Sequence, residues 1–292
     1  MTTFGDNDVA VIRRTLRRAA PRLRRPLPWV AHVDPWAILV SEVMLQQTQS
    51  SRVVEPWTRF LERFPTPSAC AESSVAEVVR YWNGLGYPRR AQYLRLAARQ
   101  ICDDHAGLVP DGWDDLRALP GVGDYTASAV ASFAFHRPVA VLDTNVGRVL
   151  ARAVANRTLA PREARRLAKE LLGRCDSAVF NQAMIDVGAQ HCRSTPSCEG
   201  CPLAGVCRWR REGGDDPAPL SASVSRRQSR FVGSDRQVRG RVLRELGGGP
   251  VHRVRLRASF ADIETSRYEG VLKTLADDGL VELGTRVRLA GD

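Results

Sequence analysis

The chain has almost no lysine. Of its 43 basic residues only Lys169 and Lys273 are lysines, and all the others are arginine. Chemistry that runs through a lysine amine therefore has two candidates in 292 residues, and neither lies in a motif that reads as a pocket. Long apolar runs are missing as well. No stretch approaches the roughly 20 residues that span a bilayer. Nor does the N-terminus hold an apolar secretory leader, because Arg13, Arg14, Arg17 and Arg18 break its first apolar stretch. The expected chain is cytosolic, with no membrane partner.

What is present is an ordinary globular composition with an uncommon charge. Hydrophobic residues make up 43% of the chain, enough for real cores, and the length suits two or three lobes. A formal net charge of +11 favours a polyanionic partner, most commonly nucleic acid, since neutralising phosphates releases counterions. A basic surface that is merely solvated is the plainer alternative. The seven cysteines are unevenly spread. Cys70, Cys102 and Cys175 are scattered and suit buried apolar positions. Cys192, Cys198, Cys201 and Cys207 fall within sixteen residues as C-x5-C-x2-C-x5-C. Thiolates this close in an intracellular chain converge on a metal centre, with a structural disulfide pair as the plainer alternative. Spacing alone does not separate zinc from a [4Fe–4S] cluster. Arg193, Arg208, Arg210 and Arg211 suit a loop that is also held against phosphate.

Apolar residues at three- and four-residue steps predict consecutive helices over 9–25, 37–47, 53–63, 75–81, 90–103, 124–135, 161–172 and 178–188. Pro and Gly punctuate them at 64–67, 83–86 and 119–121. The body is all-α. Composition changes after Arg211, and residues 212–230, rich in Gly, Asp, Pro, Ser and Arg, read as a linker. Beyond it, helices are expected over 235–245 and 266–277, and alternation over 251–256 and 280–289 predicts strands. Helices followed by a hairpin suggest a small winged-helix-like module. Its Arg236, Arg239, Arg241, Arg253, Arg255 and Arg257 are available for phosphate.

Two further stretches carry chemistry. Leu119-Pro120-Gly121-Val122-Gly123-Asp124-Tyr125-Thr126 joins two helical segments. Gly121 and Gly123 would let backbone N–H groups at the next helix N-terminus face an anion, a sequence-independent hold on one phosphate. An ordinary helix connection is the alternative. About twenty residues further on, Asp143 follows an apolar stretch, and Asp143-Thr144-Asn145 also suits an N-cap for a helix over 146–155.

The hairpin, Asp143 and the four-cysteine loop together look like the endonuclease III superfamily of base-excision glycosylases. Within it, Ser41-Glu42-Val43-Met44-Leu45-Gln46-Gln47-Thr48-Gln49 resembles the signature of the adenine DNA glycosylases, the MutY family. Leu27-Pro28-Trp29, Gly84-Leu85-Gly86-Tyr87 and Phe180-Asn181-Gln182-Ala183-Met184 match that family in order and spacing. The resemblance covers roughly residues 10–210.

It implies a mainly α, helix-hairpin-helix DNA glycosylase with a four-cysteine iron–sulfur loop and a small α+β winged-helix-like C-terminal module. The implied domains are an iron–sulfur domain (1–25 and 137–211), a six-helix barrel with the hairpin (26–136), a linker (212–230) and the module (231–292). The implied cofactor is a [4Fe–4S] cluster on Cys192, Cys198, Cys201 and Cys207. The implied partner is double-stranded DNA containing a mispaired adenine, bound by a nucleoid-associated monomer. Adenine leaves poorly as an anion, so its release needs a proton at N7 and negative charge beneath the developing oxocarbenium ion. Two carboxylates with opposed tasks meet that need. By resemblance Glu42 is the general acid and positions water. Desolvation among Val40, Val43, Met44 and Leu45 should favour its protonated form. Asp143 would be the ionised partner, supported by Tyr125 and Asn145. Gln47, Thr48 and Tyr87 would fill the gap left by the flipped adenine and contact the opposite base. Trp29 and Gln182 would line the adenine pocket. Endonuclease III-like enzymes place a Schiff-base lysine where Tyr125 stands here, so a monofunctional glycosylase without amine-based lyase activity is expected.

Three departures stand out. The first cysteine spacing is one residue shorter than the family's usual six, and Val30 replaces a residue that is often polar or basic. The residues after the linker read as a winged-helix-like module where the family commonly carries a Nudix-like domain with a Phe-Ser-His loop. The resemblance therefore does not extend to the part that favours 8-oxoguanine opposite the adenine, and Thr48 and Tyr87 would have to supply that preference. The competing readings are a related glycosylase for thymine opposite guanine, against which Glu42 argues, and a non-catalytic iron–sulfur DNA-binding protein.

Overall fold

The computed structural model describes residues 6–224 and 230–292, apart from the side chains of residues 6 and 7. Residues 225–229, in the stretch read as a linker, lie outside the described residues. Contacts divide the chain into two compact units. One comprises Met1–Val33, Asp111–Asp114 and Gly123–Arg227; the other comprises Asp34–Pro110, Asp115–Val122 and Gln228–Asp292.

In the first unit, helices Asp6–Leu23, Asp124–Phe133, Thr144–Val149, Pro161–Leu172 and Ser177–Gln190 enclose a core that includes Ile12, Leu16, Val149, Leu171, Phe180 and Met184. The helix expected over 146–155 begins as an α-helix and changes at Leu150 to π-helical backbone that runs to Ala155. Such wide turns often mark functional segments. Asp143 caps this element, its Oδ1 accepting from the Val146 N–H at 2.7 Å. Residues 212–224, which composition assigns to a linker, lie against this unit. Asp216 pairs with Arg152, the Ser221 hydroxyl accepts from Leu159 N, and Ala222 N donates to Leu159 O.

The second unit starts with helices whose ends are set by local chemistry. Asp34, Thr66 and Ser74 each accept a backbone N–H of the first turn, with Pro35 and Pro67 at the first helical positions. Helices Pro35–Leu45, Val54–Arg63, Val75–Trp82 and Arg89–Asp104 bury Trp36, Leu39, Phe60, Phe64, Trp82 and Leu94. Two indoles find carbonyl partners: Trp36 Nε1 donates to Phe64 O and Trp57 Nε1 to Ala37 O, both at 2.9 Å. In sequence, the division between units falls within helix Trp113–Ala118, after Asp114, and again in the hairpin turn, between Val122 and Gly123.

The C-terminal module reads helix Asp235–Leu246, strand Val251–His252, helix Arg253–Ala258, helix Thr265–Asp277, then strands Val281–Glu282 and Arg286–Leu289. Arg286–Leu289 is the middle strand of an antiparallel sheet, with Val251 opposite Val287 and Val281 opposite Leu289. That order is a winged-helix arrangement around Val242, Leu246, Leu256, Phe260, Tyr268 and Leu272. One expectation is corrected. The strand expected over 251–256 ends after His252, and residues 253–258 are helical. The apparent alternation there depended on Val254, which is exposed, while Leu256 alone faces the core. With only one buried position in the segment, the helix propensity of Arg, Leu and Ala decides. The module is tied to the helices of its unit by Arg80, whose Nη2 reaches both carboxylate oxygens of Asp292 (2.7 and 2.6 Å) and whose Nε reaches Gly247 O at 3.0 Å. Ala76 N donates to Ala290 O at 2.9 Å.

Candidate active site and cluster loop

In the first unit the structure assembles a carboxylate site around Asp143. Helix Ser177–Gln190 fixes the chain leading into it. The Asn181 amide donates to Ser132 Oγ and Val139 O and accepts from Val141 N. Asp143 is half-buried. Its Oδ2 accepts from Asn145 Nδ2 at 2.6 Å, and Asn145 Oδ1 in turn accepts from Arg148 Nη2 at 2.6 Å. Loss of hydration raises the Asp143 carboxyl above the usual carboxylate range. The bonds from Val146 and Asn145 and the nearby Arg148 charge oppose that rise. Gly188 is required here, because a Cβ on it would sit 2.5 Å from Asn145 Cβ and 2.6 Å from Asn145 O. Tyr125 is half-buried against the same core. Trp29 is buried in the short turn Pro28–Ala31, and Gln182 is half-buried on helix Ser177–Gln190. Gly123 precedes its helix in extended backbone, and a side chain there would meet open space.

Arg148 also joins this site to the cysteine loop. Its Nε donates to Cys192 O at 2.6 Å and its Nη2 to Gly188 O at 3.1 Å. Four residues on, Arg152, with a side chain 1% exposed, donates to Cys192 Sγ at 3.5 Å and Arg193 O at 2.6 Å, and pairs with Asp216 at 2.6 Å. Cys192, Cys198, Cys201 and Cys207 all line one small cavity of about 30 Å³. Burial raises the thiols of Cys192, Cys201 and Cys207. Among the described residues, no three His, Cys, Asp or Glu side chains are placed to hold an ion.

The second unit carries Glu42, Gln47, Thr48, Tyr87 and Gly121. Glu42 is 4% exposed within helix Pro35–Leu45, where Trp36 through Met44 are all buried. This helix ends at Leu45, two residues earlier than expected, and Gln47 turns into the left-handed region at φ 56°. Tyr87 does the same at φ 47°. Non-glycine residues with positive φ are strained, and such strain collects at functional loops. One side chain staples both loops together. Arg90, 8% exposed, donates to Val43 O, Met44 O and Gln46 O through Nη1, and to Thr48 Oγ1, Leu85 O and Gly86 O through Nη2. Its guanidinium lies 5.4 Å from the Trp82 ring centre and 5.5 Å from that of Tyr87. Burial pushes its pKa down to about 10, which leaves it charged at neutral pH. Gln46 Nε2 donates to Gly121 O at 3.2 Å, so the hairpin turn joins the same assembly. Gly121 has φ 75°, and a Cβ there would lie 2.7 Å from Tyr93 Cβ.

The structure therefore joins Asp143 to Asn145, Thr48 to the Tyr87 loop, and the four cysteines to one cavity. Sequence reasoning missed Arg90, Arg148, Arg152 and Gly188. Only Gly188 left a mark, as a glycine inside a helical pattern; an arginine that serves carbonyls has no periodic signature. Neither lysine belongs to these groups: Lys169 is exposed, and Lys273 pairs with Asp277 at 3.0 Å.

Residues 40–174 match the family described as HhH-GPD superfamily base excision DNA repair protein. The adenine DNA glycosylase of Mycobacterium tuberculosis (strain ATCC 25618 / H37Rv) is 44% identical over 269 residues, covering 89% of this chain and 86% of that relative. The chain belongs to the adenine DNA glycosylase family. Another member of the adenine DNA glycosylase family, from Mycolicibacterium smegmatis (strain ATCC 700084 / mc(2)155), is 44% identical over 278 residues, or 92% of each chain. Among solved structures, a trapped endonuclease III–DNA covalent intermediate superposes with a TM-score of 0.64 at 26% identity, over 73% of this chain and 99% of the other. A thermostable thymine-DNA glycosylase does so equally well, over 70% and 98%. The helix-hairpin-helix fold expected for an adenine DNA glycosylase family member is thus the fold observed, with a small three-stranded sheet at its C-terminal end. No helix among the described residues is long and apolar enough to cross a membrane.

Proposed function

We propose that the protein is a monofunctional adenine DNA glycosylase of base excision repair, acting in the cytoplasm as a monomer on adenine mispaired with 8-oxoguanine or guanine in duplex DNA. The observation that carries this reading is the identity to adenine DNA glycosylases over nearly their whole length, combined with the burial of Glu42. A carboxyl so poorly hydrated suits a group that must deliver a proton, since desolvation penalises the ionised form. Glu42 protonates adenine at N7, and the C1′–N9 bond breaks with its electron pair leaving on the neutral base. Asp143, held by Asn145 and the Val146 N–H, supplies negative charge to the oxocarbenium ion. Water aligned by Glu42 then bonds to C1′ and returns a proton to that carboxylate. Tyr125 and Asn145 steady Asp143. Trp29 and Gln182 hold the flipped adenine, Gly121 and Gly123 admit a phosphate, and Gln47, Thr48 and Tyr87 fill the vacated stack. The two lysines stand in none of these groups, which supports hydrolysis without a Schiff base.

Cys192, Cys198, Cys201 and Cys207 would hold a [4Fe–4S] cluster. The fit lies in the donor set, since four cysteines and no carboxylate line their cavity. When bound, the cluster supplies a rigid anchor for the loop. We assign the iron–sulfur domain to 1–25 and 137–211, the barrel to 26–136 and the module to 231–292, with the connecting stretch 212–230 held against the first unit as far as residue 224.

The deciding experiment is single-turnover base release from duplexes carrying adenine opposite 8-oxoguanine, guanine or thymine, and thymine opposite guanine. Release of adenine, with 8-oxoguanine or guanine favoured over thymine, is expected. In the same assay Glu42→Gln keeps DNA binding and loses base release by about 100-fold or more. Release of thymine alone, or full activity in Glu42→Gln, would refute the assignment.

A further inference from the structure

Five of the six arginines that the module seemed to offer to phosphate are engaged within the protein. Arg239 bonds Asp278 at 2.5 Å and Thr274 Oγ1 at 2.8 Å. Arg241 pairs with Asp262 at 2.8 Å and Arg253 with Glu269 at 2.7 Å. Arg257 donates to Phe260 O at 2.5 Å and Ile263 O at 3.0 Å, while Arg255 is exposed. Arg236 reaches furthest. From the first turn of helix Asp235–Leu246 its Nη1 donates to the Tyr87 hydroxyl at 3.0 Å, with the guanidinium carbon 5.9 Å from the ring centre.

The helix that carries Arg236 is itself anchored, because Arg80 holds Gly247 just past its end and Asp292 at the chain's end. Between this helix and the Tyr87 loop lies a cavity of about 290 Å³, lined by Arg80, Trp82, Gly84 and Gly86 on one side and Gly240 and Leu243 on the other. Close packing therefore does not fix the loop from that side. Arg90 holds the loop backbone at Leu85 and Gly86, and Arg236 takes the hydroxyl end of the tyrosine. A guanidinium can only donate, so the Tyr87 oxygen accepts and its own hydrogen remains to donate elsewhere.

We infer that Arg236 is a positioning residue for Tyr87, and that the winged module braces the opposite-base loop instead of reading DNA as a separate wing. The inference rests on the reading of Tyr87 as the residue that enters the stack opposite the flipped adenine.

The test uses the full chain, with Arg236→Met, Arg236→Lys, Tyr87→Phe, the Arg236→Met/Tyr87→Phe double variant, and Arg241→Met as a control within the module. Two readouts are compared: single-turnover adenine release below saturation, and the fluorescence of 2-aminopurine placed beside the mispair, which reports unstacking. Loss of one charge-assisted hydrogen bond corresponds to roughly tenfold. Arg236→Met and Tyr87→Phe should each lower both readouts by about that factor. The double variant should be no worse than Tyr87→Phe to within about twofold, Arg236→Lys should recover part of the loss, and Arg241→Met should match the wild type. Multiplying losses in the double variant, equal damage from Arg241→Met, or no effect of Arg236→Met would each overturn the inference. A wild-type protein that unstacks the mispair but releases no adenine would instead refute the glycosylase assignment. The fluorescence arm then decides the role of Arg236 alone.

Discussion

Replacing Arg90 with methionine keeps an unbranched stem of similar reach and removes the guanidinium. The carbonyls of Val43, Met44, Gln46, Leu85 and Gly86 and the Thr48 hydroxyl then lose a donor. The bonds to Val43, Met44 and Leu85 are fully buried, so water does not replace them unless the loops open. Each buried acceptor left unsatisfied costs about 1–3 kcal/mol. With three such carbonyls the loss is at least about 3 kcal/mol, and relaxation of the loops keeps it toward the lower end of the summed range. Against a typical stability of about 5–15 kcal/mol, that is a severe loss. Thermal and urea unfolding followed by tryptophan fluorescence would measure it, since Trp82 lies directly under the guanidinium. Arg90→Lys, with three donors and no planar fork, should retain about half of the wild-type margin and remain foldable. If Arg90→Met unfolded at the wild-type temperature and urea concentration, the two loops would not depend on this side chain and the stapling argument would fail.

Three further outcomes follow from the first unit. Gly188→Ala drives a methyl group into Asn145, so it should cost about 1–3 kcal/mol and reduce base release while duplex binding persists. The check is stability and single-turnover release measured on the same preparation. Asp143 must be ionised to act and its carboxyl is raised, so base release should fall with decreasing pH earlier than for an ordinary aspartate. Asn145→Ala removes a bond that favours the ionised form and should move this acid limb to still higher pH. An unmoved limb in a rate profile of the variant would contradict that assignment. Protein purified without oxygen should be yellow-brown, absorbing broadly near about 400 nm. Removing the iron should loosen Cys192 and, through Arg148, slow base release; a colourless protein holding stoichiometric zinc would refute the cluster.

Much of the molecule was legible in the sequence because periodicity and caps are local. Asp34-Pro35 and Thr66-Pro67 announce helix starts, and Asp143-Thr144-Asn145 reads as a cap and is one. The winged module was legible in outline, yet 253–258 was misread because one exposed valine imitated strand alternation. The supports of the site were not legible. Arg90, Arg148 and Arg152 each satisfy carbonyls distant in sequence, and a chain with so many arginines offers no reason to single these out. The left-handed backbone at Gln47 and Tyr87 was hidden for a similar reason, since neither residue type advertises a positive φ.

The segment packed along residues 212–224 bears on how the protein can be divided. Composition invites a cut after Arg211, yet Asp216 is the ion-pair partner of the buried Arg152, and the Ser223 carbonyl accepts from the Thr144 hydroxyl beside Asp143. A fragment ending at Arg211 would leave the Arg152 guanidinium buried with its counter-charge removed, a penalty on the order of 3–5 kcal/mol at the residue that holds Cys192. Truncation meant to isolate the helical body from the winged module has to retain the chain through Val224, and a protease site or tag placed earlier would cut into the support of the carboxylate.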